Sequence, residues 1–182
     1  SRSPIPRQHD ADSLLRPAAL LAESRSLQRI DPGLQVPPVC LLDPDGDFAD
    51  ALDQHAGVPP RPWGCFHTRL RVWRPTARRA IGVVDRAVGG PFAVMVAEQL
   101  FASGCELLIS LSAAGAIDPV LSTESESHKL WIVDRALRDE GTSDHYLPPG
   151  PDVTISDTLR DQTLDRLAEL RIPAGSLTSW TT

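Results

Sequence analysis

The chain has 182 residues, 41% of them hydrophobic, enough for a single domain with a substantial core, and it carries a net charge of −6 with a pI near 5.3. That acidity excludes a general nucleic-acid binder, which needs clustered Lys and Arg against phosphates. No apolar run is long enough to span a bilayer and no leader pattern opens the sequence, so the expected location is the cytosol, with no membrane partner.

The first thirty residues are polar apart from Asp12 to Leu27, where Leu14, Leu15, Ala18, Leu21 and Leu27 can share a helical face. Pro17 interrupts that stretch, which predicts a short or kinked helix inside an N-terminal extension of residues 1–35. "VPPVCLLDPDGDFADALDQHAG" then reads as a buried strand over Val39 to Leu42, an acidic turn and a helix starting near Asp47, the opening unit of an α/β layer. "HTRLRVWR" alternates Thr68, Leu70 and Val72 with His67, Arg69 and Arg71, the period of a half-exposed strand. Arg71 and Arg74 belong with Arg78 and Arg79 to the one basic cluster. The cluster reads as a solvated strand end, the weaker alternative being an anion-binding patch.

Ile81 to Val84 reads as the next strand, Gly89-Gly90-Pro91 as a tight turn and Pro91 to Ser103 as a helix closed by Gly104. Leu107 to Leu111 follows as a continuous apolar strand, completing a β-α-β unit with a glycine-containing loop at each strand exit. "STESESHK" is a polar connection, "HKLWIVDRALRDEG" a further apolar run, and "SDTLRDQTLDRLAELRIPAG" an amphipathic helix with Leu159, Leu164, Leu167 and Leu170 on one side and Ser156 or Asp157 as its cap. Gly175 to Thr182 reads as a strand that leads onward, so the sequence is expected to be incomplete. There is no internal repeat.

Cys40, Cys65 and Cys105 are odd in number and widely spaced, with Cys40 and Cys105 in or beside apolar runs. They read as buried thiols of a reducing compartment, and no spacing suggests a metal site or a disulfide framework.

Three segments fall just beyond predicted strand ends, where α/β sheets place ligands: "VGGPF", "SLSAAGAI" and "RDEGTSDHYLPP". The last packs an acid, a glycine, two hydroxyls, a histidine and a tyrosine into a few residues before two prolines. From Val36 onward the chain resembles the nucleoside phosphorylase family, the purine nucleoside and uridine phosphorylases with their hydrolytic nucleosidase relatives. The resemblance rests on "GGPFAVMVAEQLFASG" and on "RALRDEGTSDHYLPP", which is similar to the base pocket of the uridine-phosphorylase-like branch. "VCLLDPDGDFADAL" and "SWTT" support it from a bacterial subgroup.

The resemblance implies a three-layer α/β/α sandwich over residues 36–182, with a mixed, partly barrel-like central sheet, incomplete at its C-terminus, in a dimer-based homo-oligomer up to a hexamer. It implies phosphorolysis of the N-glycosidic bond of a purine or pyrimidine nucleoside, with inorganic phosphate as co-substrate and no cofactor. As that bond breaks the sugar becomes cationic, so an oxyanion must be held against it while the departing base is stabilised. Phosphate and ribose contacts are implied for Gly46, Arg86, Gly89, Gly90, Ser112 and Ala113. Base contacts are implied for Ala114, Gly115, Arg138, Glu140, Gly141, Thr142, His145 and Tyr146, with Ser143 beside them. The family's ribose-holding and base-contacting acid segment is expected beyond Thr182, so no catalytic residue is assigned and the 182 residues alone are expected to be inactive.

The sequence also departs from the family pattern. Phe48 stands near a usual arginine, Ser110 where many members carry a second arginine, and Ala113 where they often carry a hydroxyl. Two chemistries stay open: phosphate held by Arg86 or Arg138, or water as the nucleophile with Asp43, Asp45 or Asp47 as base, these acids having turn and capping duty as their plainer explanation. A catalytically inactive nucleoside-binding relative is the third. Several of these residues also have a structural alternative: Tyr146 as a core plug beside Pro148 and Pro149, His145 as a satisfied structural histidine, Thr142 and Ser143 as loop ties, and Gly89, Gly90 and Gly115 as turn formers.

Overall fold

The computed structural model of the chain describes residues 15–123, 126 and 128–180. The beginning of the predicted N-terminal helix (Asp12 to Leu14), part of the "STESESHK" connection and the last two threonines of "SWTT" lie outside the described residues. The chain divides into two compact units, one of residues 12–113 and one built on residues 114–182.

In the first unit, helix α1 (Pro17–Gln28) precedes strand β1 (Val39–Asp43), helix α2 (Asp47–Ala56), strands β2 (Leu70–Thr76) and β3 (Arg79–Asp85), helix α3 (Gly90–Ala102) and strand β4 (Leu107–Ser110). The strands form one sheet in the order β2-β3-β1-β4. β1 runs parallel to both β3 and β4, whereas β2 pairs antiparallel with β3. The continuous apolar runs of β1 and β3 suit the centre of such a sheet. Cys40, Val83, Val84, Val96 and Leu100 are fully buried with Trp63 and Cys65, and all three cysteines are free thiols. Trp63 stays polar-satisfied in this core because its indole N–H donates to Thr68 Oγ1 at 2.9 Å.

Two sequence expectations change here. Pro17 does not interrupt a helix but starts one, since the first helical position needs no N–H and suits the fixed φ of proline. The buried face of α1 is Leu21, Ser24 and Arg25, while Leu15 and Leu27 face solvent. Arg25 can be buried because its guanidinium donates to Trp63 O, Pro32 O and Ser103 Oγ. Arg71, expected at a solvated strand end, is also buried. It clamps Asp53 through Nε and Nη2 (2.9 and 2.7 Å), and its Nη1 lies 3.2 Å from Asp85 in an ion pair without hydrogen-bond geometry. The alternation expected in β2 fails at that point, Leu70 and Arg71 both being covered.

In the second unit, strands β5 (Leu130–Leu137), β6 (Asp152–Thr154) and β7 (Ala174–Ser179) form a sheet in the order β6-β5-β7, with helix α4 (Asp157–Glu169) between β6 and β7. Ser156 caps α4 by accepting from Leu159 N–H, as its sequence suggests. Trp131 lies against Gly175, where a Cβ would come within 2.6 Å of the ring. Among the described residues none of this unit is fully buried, and Leu130, Val133, Leu159 and Leu170 stay exposed. The architecture is the expected mixed α/β one, with the strands paired in two sheets. Among the described residues no helix is long and apolar enough to cross a membrane.

Candidate functional site

The sequence candidates fall into two groups, one in each unit. In the first, the β1–α2 turn is organised by Asp43. Its buried carboxylate accepts from Gly46 N–H at 3.1 Å and Ala49 N–H at 2.9 Å, which satisfies orphan donors at the start of α2. Asp43 therefore has the turn and capping duty that was its plainer explanation. Gly46 has φ +88, and a Cβ there would lie 2.7 Å from Arg86 Cζ. Arg86, itself left-handed at φ 56, folds its guanidinium back over this glycine. Nη2 contacts both carboxylate oxygens of Asp50 at 2.8 Å, and Nη1 pairs with Asp85. Asp50 foremost, then Asp85, raises the Arg86 pKa. Arg86 is charged, and its charge is already matched.

Asp45 projects from the same turn and accepts a hydrogen bond from the Ala113 amide at 2.6 Å. Ala113 lies just beyond β4, so this contact joins two loops 68 residues apart in sequence. Ser110 is the last residue of β4, and Ser112 and Ala113 are exposed. At the third strand exit, Gly89 is the N-cap of α3 with φ 93, Gly90 opens the helix, and no side chain caps that end. The strand ends and α2 thus carry six carboxylates, Asp43, Asp45, Asp47, Asp50, Asp53 and Asp85, against the guanidiniums of Arg71 and Arg86.

The second group is the loop after β5. Arg138, with its side chain only 3% exposed, donates to Ser143 Oγ (3.0 Å), Ser143 O (3.0 Å), Leu147 O (3.1 Å) and Pro148 O (2.5 Å), and pairs with Asp144 (3.2 Å). From the other side, the Glu140 carboxylate accepts from the amides of Thr142 (2.7 Å) and Ser143 (3.1 Å), capping the 3-10 turn Ser143–His145. The Ser143 hydroxyl above all, helped by the Ser143 and Thr142 amides and opposed by some desolvation, holds the Glu140 carboxyl below its ordinary pKa. The polar density of "RDEGTSDHYLPPG" is accounted for: Arg138, Glu140 and Ser143 build the loop, and His145 and Tyr146 stand exposed on it. Tyr146 is 49% exposed and does not plug a core. Trp180 Nε1 donates to Asp139 at 3.1 Å, a further tie that no local pattern announces.

Ala114, Gly115 and Gly141 are exposed, and open space surrounds the Cβ position of both glycines. An open polar hollow of about 440 Å³ is lined by Asp134, Arg135, Ser156, Asp157 and Arg160 among others, and none of the sequence candidates lines it. Asp50 and Asp85, the partners of Arg86, were missed by the sequence reading. Asp85 is legible only through strand register, which sets it beside Asp43.

No family model matches the chain, and no curated protein does. Solved structures do. The chain is similar to AMP nucleosidase from Bacteroides thetaiotaomicron VPI-5482 (TM-score 0.65, 17% identity, 91% of this chain and 66% of that one). It is similar to uridine phosphorylase from Vibrio fischeri ES114 (TM-score 0.62, 20% identity, 81% and 61%). A third similarity is to purine nucleoside phosphorylase from Toxoplasma gondii in complex with immucillin-H (TM-score 0.61, 19% identity, 81% and 58%). The chain therefore has the nucleoside phosphorylase fold. It spans about three-fifths to two-thirds of the length of these structures.

Proposed function

We propose that this chain belongs to an enzyme that cleaves the N-glycosidic bond of a nucleoside or nucleotide, with water as the nucleophile. The observation that carries the base-recognition part is the loop pinned by Arg138 and Glu140, which presents Tyr146 and His145 to solvent. An aromatic face on a rigid support stacks on any nucleobase at little entropic cost, and a histidine beside it can hydrogen-bond a ring edge.

The choice of water rests on the other group of residues. Phosphorolysis needs free amides and an available cation for a dianion. Here the Ala113 amide is held by Asp45, and Arg86 is held by Asp50 and Asp85. Phosphorolysis, the reaction the sequence resemblance put first, remains the second reading because the N-terminus of α3 at Gly89 and Gly90 has no side-chain cap.

The experiment is chromatography of free base released by the intact protein from purine and pyrimidine nucleosides and nucleotides, with and without phosphate. Release without phosphate supports the hydrolytic reading, and release only with phosphate replaces it by the second. No release under either condition makes the protein a binding relative without catalysis.

A further inference from the structure

We propose that Asp45 is a specificity-determining residue that closes an anion-accepting amide to inorganic phosphate. This rests on the N-glycosidase reading for its biological meaning, but the site is defined by geometry alone. The carboxylate lies 2.6 Å from Ala113 N–H, a charge-assisted distance, and both residues are exposed, so the amide holds an anion that the chain itself supplies.

A tethered anion is a strong competitor. Short flexible tethers give effective concentrations of roughly millimolar, so a free phosphate must displace a carboxylate present at a comparable level. It must also approach through the field of Asp43, Asp47, Asp50 and Asp85. The nearby cation cannot offset this, because Arg86 is paired with two of those acids. Water carries no charge and meets neither obstacle.

Titration calorimetry of the intact protein with inorganic phosphate tests this without any nucleoside. Wild type should show little heat, and Asp45→Ala should bind phosphate at least about tenfold more tightly, since the amide is freed and one repelling charge is gone. Asp45→Asn keeps an acceptor but loses the charge, and its gain should be smaller. Asp47→Ala removes the same charge two residues on, at the first position of α2, without freeing the amide, and should change affinity less than about threefold. Equal binding by wild type and both Asp45 variants overturns the proposal, and so does an equal gain in Asp47→Ala, which would reduce the effect to bulk charge. Among the described residues Asp45 makes one hydrogen bond, at an exposed turn, so thermal melts of the variants should stay close to wild type. Free-base release is then assayed on the same proteins: a phosphate gain in Asp45→Ala without base release from any of them leaves the amide closure standing and removes the N-glycosidase reading.

Discussion

Arg138 and Ser143 meet twice, through Nε to the hydroxyl and Nη2 to the carbonyl, both at 3.0 Å. Because the same guanidinium holds Leu147 O and Pro148 O, one side chain fixes both ends of the turn that carries His145 and Tyr146. Arg138→Met should loosen that turn. Hydrogen bonds to a charged group contribute about 1.5–3 kcal/mol each, and partial replacement by water leaves a local loss of about 2 kcal/mol. The expected reading is a roughly thirtyfold faster amide exchange at Tyr146 and Leu147, whose N–H groups bond to Ser143 O, with the β1–β4 sheet unaffected. Arg138→Lys should not restore protection, because an ammonium cannot reproduce the fork.

Glu140 makes the same turn sensitive to acid. Its carboxyl sits below the ordinary value in the folded chain, so the stabilisation is complete above the unfolded pKa of roughly 4.3 and disappears as pH falls through the lower folded value. Thr142 and Ser143 amide shifts in an acid titration should follow this carboxyl, with the midpoint below that of free glutamate. In Glu140→Gln both shifts should be flat across that window.

Tyr146→Ala should weaken nucleoside binding by about 1–3 kcal/mol, the usual worth of one base–aromatic stack. Tyr146→Phe should retain binding on the proposed stacking role, since it keeps the ring face. Titration of fluorescence quenching with a purine nucleoside measures both, and an unchanged affinity for Tyr146→Ala would remove the ring from the site.

Gly82 is required by its neighbour. A Cβ at that position would lie 2.7 Å from Cys40 Sγ and 3.1 Å from Leu70 Cδ1, in the middle of the sheet. Gly82→Ala should cost about 1–3 kcal/mol through overpacking, read as a lowered denaturant midpoint with an unchanged slope.

Burial, reinforced by Cys105 beside it, pushes the Cys40 thiol up to about 12, and burial raises Cys65 as well. Both should resist alkylation at pH 8 in the native protein and react fully in denaturant, because the thiolate is the reactive form. Mass spectrometry of native and unfolded samples distinguishes the two states.

The local patterns of this sequence specify a good deal. Val39 to Leu42 and Ile81 to Val84 are apolar runs that can only be satisfied as inner strands, and β1 and β3 pair side by side. Gly89, Pro91 and Gly104 punctuate α3 through φ requirements that belong to single residues, and Ser156 caps α4 for an equally local reason. The family motifs likewise led to a fold that the solved structures share. Pro17 shows the limit of such reading, since a proline opens or breaks a helix according to which residues precede it in the helix, and only the fold supplies that.

What the tertiary structure decided is who pairs with whom. Arg71 looked solvent-facing by alternation, yet it is buried because α2 brings Asp53 to it and strand register brings Asp85. Arg86 and the Ala113 amide looked available to phosphate until Asp50, Asp85 and Asp45 reached them across the turns. A charge or a hydrogen-bond donor has no preference along the chain; its partner is whichever opposite group lies within a few ångströms, and that distance is set by strand order and loop closure over tens of residues.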